Sequence, residues 1–220
     1  MPRVIEKTVY KFDELSDRAK EKAREWWRRG MCNDWEPEFS EFETLAQVLG
    51  IEFKHRQSRG GTHTDPVIHY SVGDRGEFCS YEGTWTPKVS TLDDFKALGW
   101  GDSDGTRDVL AIAEALTRAA LFVQLSGPAD LTALVSCRGR DDDIMDVEFT
   151  ADLLSEFDDP DEGEVKRLPV EIRDSVTEAL KDFAGYMLGY MRDDYEYQYS
   201  DECVDQYLEE YEFDEDGDCA

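Results

Sequence analysis

Apolar positions along the chain switch between two periods, and each switch marks an element. Val4, Ile5, Val9 and Tyr10 alternate imperfectly with polar neighbours, which predicts an opening strand from Val4 to Phe12. The spacing then lengthens: Leu15, Ala19, Ala23, Trp26 and Trp27 recur at helical intervals, with Ser16 as N-cap and Gly30 as stop. Phe39, Phe42, Leu45, Ala46 and Leu49 stripe a second helix from about Pro37 to Leu49, with Gly50 just past its end. Short segments follow. Ile51–Gln57 reads as a strand and Ser58–Asp65 as a loop, while Val67–Val72 and Phe78–Trp85 flank Gly73-Asp74-Arg75-Gly76 as in a hairpin. Thr86–Asp104 has no clear period and reads as a linker.

The most apolar helix runs from about Thr106 to Leu125, carrying Val109, Ile112, Ala113, Leu116, Ala119, Ala120 and Val123. Leu131–Cys137 and Ile144–Phe149 make a second hairpin around Arg138–Asp143. Beyond the polar break Asp158–Glu164, a helix from Val170 to Tyr195 turns Ile172, Val176, Leu180, Phe183, Met187 and Tyr190 inward. Asp201–Tyr211 suits a last short helix, and Phe213–Ala220 a frayed acidic tail. Hairpins mixed with helices that do not alternate with single strands predict an α+β fold, an antiparallel sheet with helices packed on it. The division expected is a core domain over 1–157 and an acidic helical region over 158–220, packed on the core or extending from it; a single domain over 1–212 is the alternative. No internal repeat is visible.

Composition supports a true core: apolar residues are 40% of the 220, with 11 Phe, 10 Tyr and 5 Trp. No apolar run approaches the roughly 20 residues that span a bilayer. The start MPRVIEKTVYKF lacks the apolar stretch of a secretory signal, so a cytoplasmic protein is expected. The cysteines, Cys32, Cys79, Cys137, Cys203 and Cys219, form no CxxC pair and sit at no zinc spacing with His, which reads as free thiols.

Charge changes the picture most. The net charge is −28, and residues 141–220 carry 29 Asp and Glu against 5 Lys and Arg. Such a field repels nucleic acid and anionic membrane and attracts basic partners. Glu171, Asp174, Glu178 and Asp182 recur at three or four residues, so they line one face of the long helix opposite its apolar stripe. Asp193, Asp194, Glu196, Asp201, Glu202, Asp205, Glu209 and Glu210, with Glu212, continue the negative surface. Regular carboxylates on a rigid helix imitate a phosphate backbone; the plainer reading is a solvated face that keeps the chain soluble. Among them stand Tyr195, Tyr197, Tyr199, Tyr207 and Tyr211, most of them expected to pack into the core and the rest to supply an interface rim. The first helix carries Arg18, Lys20, Lys22, Arg24, Arg28 and Arg29 interleaved with Asp17, Glu21 and Glu25. A mixed solvated face is expected there, with pairing to the acidic end, within one chain or in a homodimer, as the alternative.

Three stretches carry a resemblance: Val9-Tyr10-Lys11-Phe12-Asp13-Glu14-Leu15-Ser16 leading into the helix that ends at Trp26-Trp27; Ile68-His69-Tyr70-Ser71 through Gly76-Glu77-Phe78 to Tyr81-Glu82-Gly83; and Ser200-Asp201-Glu202-Cys203-Val204 with Glu212-Phe213-Asp214-Glu215-Asp216-Gly217. In this order they resemble a group of bacteriophage-encoded acidic accessory proteins, some labelled as antitoxins. The resemblance implies a phage protein acting in a bacterial cytoplasm and brings no catalytic residues.

Chemistry elsewhere is sparse. Asp141-Asp142-Asp143, Asp158–Glu164 and Asp214–Asp218 supply oxygen ligands but not the spacing of a calcium loop. The histidines are His55, His63 and His69, and a Cys79–His69 dyad on neighbouring strands is conceivable. No nucleotide, hydrolase or metalloprotease fingerprint appears. The reading expected is therefore a non-enzymatic protein without cofactor or metal that fills a positively charged groove of a host nucleic-acid-binding or defence complex. An antitoxin-like neutraliser of a basic toxin and a structural or scaffolding protein are the alternatives.

Overall fold

The computed structural model describes residues 7–31, 36–57, 64–73, 76–99, 104–128, 130–139, 143–150 and 168–220. Expectations for the start of the first strand, Cys32, the loop with His63, Asp74-Arg75, Asp141-Asp142 and the break Asp158–Glu164 fall outside them. The protein is α+β, helices packed on antiparallel sheet. The chain divides into two compact units, residues 1–34 with 192–220 and residues 35–191, so the divisions fall at 34/35 and 191/192 and not near 157.

The larger unit contains helices α2 (Glu36–Leu49), α3 (Thr91–Ala97), α4 (Asp104–Ser126) and most of α5 (Val170–Gln198). Its strands are β1 (Ile51–Phe53), β2 (His55–Gln57), β3 (Thr64–Pro66), β4 (Ile68–Ser71), β5 (Phe78–Tyr81), β6 (Gly83–Trp85), β7 (Ala133–Arg138) and β8 (Ile144–Phe149). A four-stranded antiparallel sheet has the order β1-β6-β7-β8, and β2–β3 and β4–β5 form two antiparallel ribbons. The expected hairpins are β4–β5 and β7–β8.

Three extended segments, 51–57, 64–71 and 78–85, each change partner at one residue: Lys54, Val67 and Glu82. Those three residues bond to one another in a ring, Lys54 N–H to Glu82 O at 2.8 Å, Val67 N–H to Lys54 O at 2.8 Å and Glu82 N–H to Val67 O at 3.0 Å. The backbone thus stays paired at the point where the sheet divides. The Lys54 ammonium also reaches the Glu82 carboxylate at 2.5 Å.

Helix α5 covers the sheet through aromatic rings. Phe183 stacks on Phe53 at 6.2 Å and meets Tyr81 edge-on at 5.8 Å, while the Tyr81 hydroxyl donates to Leu180 O at 3.1 Å. Of the expected inward stripe, Val176, Leu180, Phe183 and Met187 are fully buried, whereas Ile172 is half-buried and Tyr190 is exposed. At the end of α2, Gly50 has φ +79°, and an added Cβ would lie 2.6 Å from Thr86 O, so only glycine serves as this C-cap.

Helix α4 buries Val109, Ile112, Ala113, Leu116, Ala119 and Ala120 as expected, with Leu125 exposed. One correction concerns its length. Among the described residues, Asp108–Ser126 is by length and composition apolar enough to cross a membrane. The expected linker Thr86–Asp104 contains α3, and the expected loop Ser58–Asp65 ends in β3.

The smaller unit contains α1 (Asp17–Gly30), the end of α5 and α6 (Asp201–Leu208). Ser16 Oγ caps α1 by accepting from Ala19 N–H at 3.3 Å. Phe12, Leu15, Ala19, Ala23, Val204, Leu208 and Phe213 make the core. Two expectations are corrected. Over the described residues the opening strand reduces to a bridge between Tyr10 and Phe213, followed by a single 3₁₀ turn at Phe12–Glu14. The C-terminal segment is not frayed: Phe213 is fully buried, Ala220 N–H bonds to Glu212 O at 2.8 Å, and the Asp214 carboxylate accepts from the N–H groups of Asp216 and Asp218.

Candidate binding surfaces

The helical geometry of α5 puts Glu171, Asp174, Glu178 and Asp182 on its exposed side, because the same 3.6-residue period buries Val176, Leu180 and Phe183 opposite them. No ion pair to any of the four occurs among the described residues. Burial pushes the Asp182 carboxyl above its usual range, and the neighbouring charges of Glu178 and Asp108 push it further. Asp108, on α4, therefore belongs to this acidic face; the apolar stripe drew attention to the other side of that helix. The face is a rigid array of like charges that a cationic partner would relieve.

In the smaller unit the carboxylates separate into two sets. Asp205 takes a two-pronged hydrogen bond from Arg24, Nε to Oδ1 at 2.6 Å and the terminal nitrogen to Oδ2 at 2.7 Å. Asp201 lies 3.2 Å from Arg24 and also pairs with Arg28, whose Nε donates to Tyr199 O at 3.0 Å. Lys22 meets Asp218 at 2.7 Å and Lys11 meets Glu212 at 3.8 Å. The basic face of α1 is thus not simply solvated; it pairs with the acidic end of the same chain. Asp193 lies 3.8 Å from Arg192, and Asp194 accepts from Gln198 Nε2 at 2.6 Å. Glu196, Glu202, Glu209 and Glu210 are exposed. Of the twelve carboxylates expected to contact a partner, Asp193, Asp201 and Asp205 pair with arginines, and among the described residues the other nine do not.

None of the five tyrosines is fully buried: Tyr195, Tyr199 and Tyr211 are half-buried, and of the core packing expected for most, Tyr211 packs against the core of the smaller unit. Tyr195 and Tyr199 stack on each other at 4.3 Å, and Tyr197 and Tyr207 are each 52% exposed. Tyr207 stacks on Trp27 at 5.3 Å, while Tyr211 meets Trp27 at 5.5 Å and Trp26 at 5.7 Å, both edge-on. Sequence periodicity finds the apolar side of a helix but not which other helix lies against its edge.

The register removes the conceivable thiol–imidazole dyad. His69 lies opposite Ser80, and Cys79 opposite Tyr70, so His69 and Cys79 project from opposite faces of the β4–β5 ribbon. Burial also pushes the Cys79 thiol up to about 12, which leaves it protonated at neutral pH. His69 Nε2 sits instead 3.6 Å from Glu82. Among the described residues no three His, Cys, Asp or Glu side chains converge as metal ligands. No protein-family signature, no curated protein and no solved structure matches the chain.

Proposed function

We propose that the protein is a non-catalytic binder that occupies a positively charged groove of a nucleic-acid-binding or defence complex. The bacteriophage setting, in a host bacterial cytoplasm, rests on the resemblance of the three sequence stretches. One observation carries the binding reading: Glu171, Asp174, Glu178 and Asp182 stand in register on the exposed side of one long helix without a cation paired to them among the described residues. Residues three or four apart on a helix are about 5–6 Å apart along its axis, a regular ladder of negative charge coarser than the roughly 3.4 Å of axis per phosphate on one DNA strand. A groove shaped for a phosphate backbone would meet a charge ladder of the same sign.

The test is competition. Adding the protein to its target should displace nucleic acid, and displacement should weaken steeply with salt because exposed charges are screened within about 8–10 Å. The variant E171K/D174K/E178K/D182K should remain folded by circular dichroism and lose displacement. A folded variant that still displaces nucleic acid overturns the reading.

An antitoxin-like neutraliser of one basic toxin is a second reading, favoured by the exposed rings of Trp26 and Tyr207, which suit a protein partner. It predicts an equimolar complex with one small basic protein and no nucleic-acid displacement.

A further inference from the structure

We propose that Trp26, Trp27, Tyr207 and Tyr211 form an arginine-recognition surface through which the protein grips a basic protein segment. The inference rests on the reading that the partner is cationic, and it adds a second contact point within the smaller unit. Four rings from α1, α6 and the segment just after α6 converge: Trp26 and Trp27 at 6.3 Å, Trp26 and Tyr211 at 5.7 Å, Trp27 and Tyr211 at 5.5 Å, Trp27 and Tyr207 at 5.3 Å. Trp27 and Tyr211 pack against the core that contains Leu208 and Phe213, yet Trp26 stays 43% exposed and Tyr207 52%. Helix folding alone does not require two large rings in solvent, and Trp and Tyr standing together are the residues that dominate protein interfaces.

Charge selects the occupant. Residues 192–220 carry 13 carboxylates and a single cation, Arg192. The arginines of α1 nearest the rings are already engaged, Arg24 and Arg28 with Asp201 and Asp205, and Arg29 with Glu25 at 2.9 Å. Glu209 and Glu210 come two and three residues after Tyr207, beyond the buried Leu208, and are exposed. Ring faces beside unengaged carboxylates bind guanidinium on two terms at once, stacking on the π cloud and charge attraction, whereas an apolar partner would have to desolvate the carboxylates without return.

The test measures binding of an arginine nonapeptide and a lysine nonapeptide by isothermal titration at low and moderate salt. It compares the wild type with W26A, with Y207A and with E171K/D174K/E178K/D182K. The proposal expects the wild type to bind the arginine peptide more tightly than the lysine peptide. W26A and Y207A, with unchanged circular dichroism, should each lose about tenfold for arginine and leave the salt dependence unaltered. Equal affinity of both ring variants and the wild type overturns the aromatic proposal, and if the four-carboxylate variant is weakened in the same series the acidic-face reading stands alone. Absence of arginine-peptide binding at low salt also overturns the aromatic surface; nucleic-acid displacement then still decides the α5 reading separately. A wild type that sediments as a dimer, and as a monomer once Trp26 is changed, assigns the rings to a second copy of this chain and overturns the proposal.

Discussion

Arg24 is 18% exposed and holds Asp205 through two nitrogens while also facing Asp201, so it ties two turns of α6 to α1. Its hydrogen bond to Asp205 raises the guanidinium pKa further above its already high value, and it stays charged throughout. A fork-to-carboxylate pair of this kind is worth more than an exposed ion pair, because the geometry is fixed and partly desolvated. Arg24→Ala should cost about 2 kcal/mol in urea unfolding, and Arg24→Lys should recover less than half, since a point charge cannot satisfy both oxygens.

Glu82 shows the opposite pH logic to Asp182. The hydrogen bond from Lys54 holds the Glu82 carboxyl below its usual range, with the Lys54 and His69 charges adding to it. Its contribution is therefore fully present above the unfolded value of about 4.3 and is lost as pH falls through the lower folded value. Glu82→Gln should cost about 1 kcal/mol at pH 7, and in thermal unfolding at a series of pH values the difference from wild type should begin to shrink near the unfolded value and vanish once pH is below the folded one. Asp182 is raised, so its charged form opposes folding: Asp182→Asn should increase the melting temperature at pH 7. That gain should fade on acidification, as the wild-type carboxyl takes up its own proton. The two variants thus move apart at neutral pH and converge on wild type in acid.

At the element scale, the long helices were legible because each has a stripe deep enough to repeat several times. Val176, Leu180, Phe183 and Met187 in α5, and Val109, Ile112 and Leu116 in α4, fix both type and inward face. Helix α3 was not legible. It is seven residues long, only Thr91 and Phe95 are buried in it, and two residues define no period. The strand breaks at Lys54, Val67 and Glu82 were hidden for a different reason, since a change of partner leaves the alternation along each segment almost untouched. Tyr10 and Phe213, some two hundred positions apart, bridge through backbone groups and leave no local trace. Gly50→Ala should cost about 2–4 kcal/mol, since the left-handed conformation and the approach to Thr86 O both exclude a methyl group. Gly30→Ala, with nothing near its Cβ position, should change the same equilibrium unfolding measurement little.

For the whole molecule, a net charge of −28 opposes compaction, and the smaller unit offsets part of it by placing cations of α1 against Asp201, Asp205 and Asp218 and Lys11 against Glu212. Composition alone showed the excess of carboxylates but not which of them are already paired. That division is the structural addition to the candidate site: α5 keeps its array open, while α6 spends two of its carboxylates on folding. Moderate salt should therefore act in opposite senses, relieving repulsion across Glu178, Asp182 and Asp108 while weakening the exposed pairs Lys22–Asp218 and Lys11–Glu212.

The central claim is that the open array on α5 engages a cationic groove. The direct measurement is displacement of labelled nucleic acid loaded onto a complex that was captured from nuclease-treated bacterial lysate and washed free of nuclease, run across a salt gradient with wild type and E171K/D174K/E178K/D182K side by side. The account predicts that wild type binds the complex, displaces its nucleic acid and is released as salt rises, while the folded variant does neither at any salt. A folded variant that captures and displaces as the wild type does would contradict it.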